Sequence, residues 1–214
     1  MQEVKPFPIF LIYAGGSTDA RAMNGGFILN FGNLIYHESD VRKLLVLVKS
    51  ISAHETVHQF LEQLGVIPEK AKDIDEAILQ SIWEEGLTTT VQTVQYPWHY
   101  GIAEDYMFYA QIMNDWLEAT GNPENRKAIL DRCIARGSFQ KFLEYQGDWY
   151  KENVLQGEDT DKNFMSLMIN CNGPAYHLGY MLWKRELEKG IPMEKLVRGG
   201  HKQIVNWLKE TSQN

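Results

Sequence analysis

The twenty-six residues from Asp40 to Gly65, DVRKLLVLVKSISAHETVHQFLEQLG, restrict this chain more than any other stretch. Leu44, Leu47, Val48, Ile51 and Leu61 recur at helical spacing, so one stripe of a long helix is apolar and has to be covered. Asp40 is placed to cap the start of that helix and Gly65 to end it, with Pro68 shortly beyond. His54 and His58 fall on the same stripe one turn apart, so both imidazoles point the way the core-facing residues point. Two imidazoles one pitch apart suit two ligands of one tetrahedral zinc. Glu55, next to the first of them, is placed to lean toward a metal-bound water as general base. The same pattern also describes two core histidines satisfied by hydrogen bonds, with Glu55 on the helix flank. A third ligand separates the two readings.

The next helical pattern supplies a candidate. It runs from Lys70 to about Gln95, with Ile74, Ile78 and Ile82 on its apolar stripe and Glu85 at the following position of that stripe. A carboxylate on a buried stripe needs a partner, because an unpaired buried charge is costly. Asp73, Glu76 and Gln80 lie instead on the opposite, solvated face, and Glu84 is turned by about 100° from Glu85. Gly86 weakens a helix in mid-element, which points to another backbone or a ligand packed closely against it. Glu85 is therefore the expected third ligand, with His99 and Glu84 next in line. The competing reading is a surface acid at a fraying helix end.

Composition excludes several classes of function. The net charge of −7, with no run of Lys and Arg, argues against a nucleic-acid partner. No apolar run approaches the length of a transmembrane span. Phe7 to Ala14 is apolar and follows Lys5, as the core of a signal peptide does, but Glu3 sits in what should be a basic n-region, Pro6 and Pro8 interrupt the run, and a strand is expected. Cys133 and Cys171 are too few for a disulfide scaffold and belong to no metal-spaced pair, which fits a reducing, cytoplasmic compartment. An exported chain that had lost its leader would look the same.

Pro8 to Tyr13 reads as a first strand and Phe27 to Gly32 as a second, neighbours in a small sheet joined by a polar loop from Ser17 to Asn24. One of them is expected at the sheet edge, where free N–H and C=O groups can pair with an extended peptide. Helices are expected over 104–120, 125–135 and 138–153, into a helix ending near Gly190, and over 195–210 with His201 at the surface. Tyr96 to Gly101 is an aromatic loop and Gln156 to Asp161 an acidic one.

Trp83-Glu84-Glu85-Gly86-Leu87 resembles the W-x-x-E-G-hydrophobic segment, with one residue of slack at the tryptophan, that follows HExxH in gluzincin metallopeptidases. That group includes thermolysin-like enzymes, zinc aminopeptidases and several uncharacterised families of zinc peptidases. The resemblance implies that Glu85 is the third zinc ligand. Gly173-Pro174-Ala175-Tyr176-His177-Leu178-Gly179-Tyr180 resembles the Y-x-x-G helix start of zinc aminopeptidases. It implies that Tyr176 donates a hydrogen bond to the oxyanion of a tetrahedral intermediate, a role that complements zinc polarisation of the carbonyl. His177 and Tyr180 are the alternative donors. In zinc aminopeptidases a G-x-M-E-N stretch precedes HExxH, and its Glu holds the substrate amino group. Here Gly25-Gly26-Phe27-Ile28-Leu29-Asn30 keeps glycines and an asparagine but has no Glu, so exopeptidase specificity is not implied. The resemblance covers three short motifs between about Gly25 and Gly190.

Taken together, the expectation is a single α+β domain over 1–214, mostly α-helical. A small N-terminal sheet (1–36) packs on a helical zincin-like core (40–214). One Zn²⁺ per chain is held by His54, His58 and Glu85, with Glu55 and Tyr176 catalytic and Gly26, Phe27 and Ile28 binding substrate. The expected activity is hydrolysis of peptide bonds in a peptide or protein. A non-catalytic metal-binding or peptide-binding domain, and an amidohydrolase acting on another amide, are the alternatives. Oligomeric state is not legible.

Overall fold

Two strands rich in β-branched and aromatic residues and a third that pairs with one of them form a small sheet at the N-terminal end, and among the described residues almost everything after it is helix. The fold is a computed structural model that describes residues 5–14, 20–23, 25–66, 70–92, 104–153, 159–170 and 173–212. Strands β1 (Ile9–Ile12), β2 (Ala20–Met23) and β3 (Gly26–Asn30) stand in the order β1-β3-β2. β3 runs parallel to β1, with Ile9 opposite Phe27 and Leu11 opposite Leu29, and antiparallel to β2, with Ala22 opposite Phe27. Gly26 has no room for a side chain, since a Cβ there would stand 2.6 Å from the carbonyl oxygen of Pro8. The protein is thus α+β and mostly helical, with its small sheet at the N-terminal end.

Two expectations about the sheet change. The loop after β1 contains a strand of its own, β2, and the second expected strand is the central one. β3 stops at Asn30, whose side chain accepts from the backbone N–H of Asn33 at 3.4 Å and starts helix α1 (Phe31–His37). Gly26, Phe27 and Ile28 therefore lie on a strand hydrogen-bonded on both sides. Their backbone cannot take up an extended peptide, and the edges of this sheet are β1 and β2.

By its internal contacts the chain divides into two compact units, Met1–Ile67 with Leu87–Gln95, and Pro68–Gly86 with Tyr96–Asn214. In the first, helix α2 (Val41–Gln63) packs on β2 and β3. Its start is the expected one, since the Asp40 carboxylate accepts from the N–H of Arg42 at 2.8 Å and of Lys43 at 3.4 Å. Gly65 follows its end at φ +65°. Phe7 bridges sheet and helix, with ring centroids 6.2 Å from Phe27 and 6.1 Å from Phe60. Helix α3 (Ile74–Val91) contributes residues to both units. Asp73 begins it, its side chain accepting from the N–H of Glu76 at 2.8 Å.

The second unit is a helical assembly around α4 (Tyr106–Glu118). It contains α5 (Pro123–Ile134), α6 (Gly137–Asn153), α7 (Thr160–Ile169), α8 (Pro174–Glu188), α9 (Met193–Gly199), a 3₁₀ turn (His201–Gln203) and α10 (Ile204–Ser212). Tyr109, Met113 and Trp116 make α4 its centre, and Trp116 stacks on Phe164 of α7 at 3.8 Å between centroids. Helices α3 and α8 cross closely enough for their backbones to touch. A Cβ on Gly86 would lie 2.6 Å from the Cα of Gly179, and one on Gly179 would lie 2.7 Å from the Cα of Gly86. The backbone expected against Gly86 is therefore that of α8. Beside this crossing the Trp183 indole N–H donates to the carbonyl of Trp83 at 2.8 Å.

Elsewhere the second unit departs from expectation. The last helix is broken at Gly200, which takes φ +63°. The break turns His201 inward, and its Nε2 lies 3.2 Å from Glu76 Oε1, so this histidine is a buried partner of α3 and not a surface residue. The end of the acidic loop becomes the start of α7, with Asp159 accepting from the N–H of Lys162 at 3.1 Å. The aromatic loop from Tyr96 to Gly101, His99 within it, and Cys171 lie outside the described residues. No helix among the described residues is long and apolar enough to cross a membrane.

Candidate metal centre

Helical geometry divides the middle of α2 into two adjacent lines. Ile51, Glu55 and Gln59 follow one another at intervals of four, and all three are buried. The last of them fixes the helix to the sheet, the Gln59 side-chain amide donating to the Met23 carbonyl of β2 at 3.0 Å. Glu55 is therefore a buried carboxylate one turn from a sheet contact, and not a flank residue in solvent. The neighbouring line runs through Ser50, His54, His58 and Leu61. Its two ends are buried and its two histidines half-buried, so the imidazoles sit where the covered surface opens.

The histidines face each other through the same atom. His54 Nε2 and His58 Nε2 are 3.2 Å apart, with ring centroids 5.0 Å apart and planes inclined at 64°. A shared proton would bring two ring nitrogens to this distance, and so would a shared cation. Two nitrogens bound to one tetrahedral zinc at about 2.0–2.1 Å stand roughly 3.3 Å from each other, close to the separation here. The carboxylate of Glu85 joins them. One ligand atom from each of His54, His58 and Glu85 lies within 4.8 Å of the others, and this is the only such cluster of three or more metal-ligating side chains among the described residues. All three are half-buried.

The donor set fits a catalytic site better than a structural one. Structural zinc sites close four ligands around the ion and favour thiolates, whereas catalytic sites keep three protein ligands and an open position. Two imidazoles and a carboxylate are such a set of three. Cys133 stands elsewhere, on α5, where burial pushes its thiol up to about 12. A group so reluctant to ionise is a poor ligand, because a cysteine binds metal as the thiolate.

Glu85 reaches this position through the features that singled it out in the sequence. Ile78 and Ile82 are fully buried on α3, and Glu85 continues their stripe. Gly86, the next residue, is pressed against α8 and fixes the turn that carries the carboxylate. Glu84 is half-buried and does not join the cluster. Gln59 was not singled out by sequence; the signal that reveals it is its place four residues after Glu55 on the buried line.

Tyr176 lies in the first turn of α8, half-buried, with its backbone N–H donating to the Gly173 carbonyl at 3.2 Å. Tyr180 is likewise half-buried, whereas His177 is buried. Gly179, the last residue of the Y-x-x-G match, is explained by the crossing with Gly86 whether or not Tyr176 meets a substrate. Comparison with known proteins adds nothing to this geometry: no family model, no curated protein and no solved structure matches the chain.

Proposed function

We propose that this protein is a zinc-dependent peptidase of gluzincin type. The observation that carries the proposal is the convergence of His54, His58 and Glu85 within 4.8 Å, with the buried carboxylate of Glu55 between the two histidines in sequence. His54 Nε2, His58 Nε2 and a Glu85 oxygen would hold the ion. A bound zinc supplies Lewis acidity, polarising the scissile carbonyl and making water acidic enough to attack at neutral pH.

The remaining work belongs to side chains of the chain. Glu55 accepts a proton from the attacking water as its oxygen bonds to the carbonyl carbon, and returns it to the amide nitrogen as the C–N bond breaks. Tyr176 is proposed, on the strength of the Y-x-x-G resemblance, to donate a hydrogen bond from its phenol to the oxyanion. An extended substrate that adds to the sheet does so at an edge strand, not at β3.

The test is hydrolysis of a mixed peptide library by zinc-loaded wild type and by Glu55→Gln, read by mass spectrometry. Glu55→Gln should fold, bind zinc as wild type does and lose about 10²–10⁴-fold in turnover, the usual worth of general-base help. Equal cleavage by the two proteins would remove Glu55 as the base. Stoichiometric zinc with no cleavage by either would replace the peptidase with a non-catalytic metal-binding domain.

A further inference from the structure

β1 closes one side of the sheet, and its composition is wrong for a strand that faces water. Ile9-Phe10-Leu11-Ile12 runs on into Tyr13 with no charge, proline or glycine inside it, although natural edge strands are protected by such residues. Among the described residues no strand pairs with β1 on the side away from β3. The sheet layer itself is interrupted here. Residues in register on parallel strands share a face, so Ile9 and Leu11 continue the row of Phe27 and Leu29. Phe27 and Leu29 are 0% and 1% exposed, whereas Leu11 is 69% exposed. Phe10 and Ile12, on the other face, are exposed as well.

Helix α1 extends the apolar surface. Gly32, in its first turn, lies so close to Tyr13 and Ala14 that a Cβ there would stand 3.1–3.3 Å from them. Phe31, Ile35 and Tyr36 of the same helix are exposed, as is Tyr13. With about 200 Å² for a large apolar side chain, the exposed fractions of β1, Tyr13 and these three residues leave roughly 900 Å² uncovered. A specific interface takes about 800 Å² from each partner.

We propose that β1 is a homodimer interface, in which two copies of this chain pair β1 against β1 across a two-fold axis and join their sheets into one of six strands. A two-fold axis perpendicular to the sheet, between the two edge strands, makes them antiparallel, the more stable pairing. It also sets each apolar patch against its own image, and an uncharged apolar patch is complementary to itself. The pairing satisfies the backbone groups along the edge of β1 and sets its exposed apolar side chains beside their images on each face of the joined sheet. A bound peptide would satisfy those groups but cover little of α1. A bilayer surface carrying anionic lipids would be opposed by the net charge of −7. The inference does not depend on the metal centre.

Sedimentation velocity of the full chain between about 1 and 100 μM, with hydrogen exchange at both ends of that range, tests it. A dimer is expected whose amides at Phe10 to Ile12 exchange more slowly as concentration rises. Leu11→Lys and Phe10→Lys place a charge on either face of the strand, and each should weaken association by about 100-fold or more while leaving the far-ultraviolet spectrum unchanged. A monomer at the highest concentration would overturn the proposal, as would one that instead binds lipid vesicles. So would a dimer whose β1 amides exchange at a rate independent of concentration, or one that both folded lysine variants leave intact. The wild-type measurements decide the matter should either variant fail to fold.

Discussion

Arg126 on α5 and the histidine pair on α2 are both polar groups drawn in from solvent, and they are surrounded in opposite ways. Arg126 meets groups of opposite charge: Asp75 of α3 at 2.5 Å and Asp161 of α7 at 2.9 Å, with its guanidinium 4.5 Å from the centre of the Trp116 ring. Its two terminal nitrogens find the acceptors that a buried cation requires, while its Nε is buried without a hydrogen-bond partner among the described residues. At His54 and His58 like meets like. Two ring nitrogens face each other, and the third group is a carboxylate whose oxygens accept. Two ring nitrogens and a carboxylate converging on one point suit a shared cation, as a ligand sphere does, whereas alternating charges are the arrangement of a strut. Burial of polar groups is common to both clusters; the signs of the groups distinguish them.

The sharpest way to break this contrast is to measure metal. His54→Ala, His58→Ala and Glu85→Ala should each lose tight zinc binding, by more than the 10–100-fold seen when an outer partner of a ligand is removed. Arg126→Ala should leave zinc stoichiometry intact in the folded fraction. Mass spectrometry of the metal in purified protein reads both. Full zinc retention by Glu85→Ala would move the third-ligand role to Glu84 or His99, and zinc loss by folded Arg126→Ala would erase the distinction between the clusters.

Stability should respond in the reverse order. Removing the guanidinium leaves Asp75 and Asp161 without their shared cation; breaking a fully buried pair costs about 3–5 kcal/mol, and the partial exposure of both aspartates brings the expected loss below that range. The histidine substitutions, at half-buried positions, should cost less in the absence of metal. Urea unfolding of the metal-free variants compares them, and a histidine variant less stable than Arg126→Ala would mean that the pair is a structural element first.

Gly86→Ala joins the two sides of the comparison. A methyl group in the crossing forces α3 away from α8, at about 1–3 kcal/mol for overpacking, less up to about 1 kcal/mol for the better helix former. The same displacement moves the neighbouring residue, Glu85, so zinc affinity should fall as well, by several-fold. Thermal unfolding and a competitive zinc titration measure the two effects. Unchanged zinc affinity in a destabilised Gly86→Ala would show that Glu85 is not positioned by the crossing.

The smallest expected effect is that of pH on the Glu76–His201 pair. The Lys72 backbone N–H is the largest of the influences that hold the Glu76 carboxyl below its ordinary value, and the hydrogen bond from His201 adds to it. Since the folded value is the lower one, the contribution of Glu76 is present above its unfolded value, near 4.5, and is lost as pH falls through the folded value. Glu76→Gln should therefore be slightly less stable than wild type at neutral pH and should flatten the fall in stability below about 4.5, so that the two profiles converge in acid. An identical acid profile in the variant would remove Glu76 from the account of acid sensitivity.

Much of the site was legible in the sequence because its signals are local. The caps of α2, the histidine spacing and the stripe that delivers Glu85 all lie within about two helical turns of the residues they govern. What escaped depends on distant partners. Ala20–Met23 has little strand propensity and becomes β2 by pairing with β3. Phe31 and Gly32 extend an apolar run that reads as strand, and only the side chain of Asn30 turns them into α1. His201 looks exposed until Glu76, 125 residues away, is brought against it. Gly86 is instructive in both respects: the sequence demanded a close neighbour, and only the fold could say that it was Gly179.

That crossing also limits how mutations can compensate. Where a large side chain packs against a small one, an enlargement on one helix can be relieved by a reduction on the other. At the α3–α8 contact both positions already carry the smallest residue, and the atoms a new Cβ would strike are backbone. A substitution at Gly86 or Gly179 therefore has no suppressor at the opposite position. Genetic selection for recovery of either variant should return true revertants at the mutated codon and none at its partner.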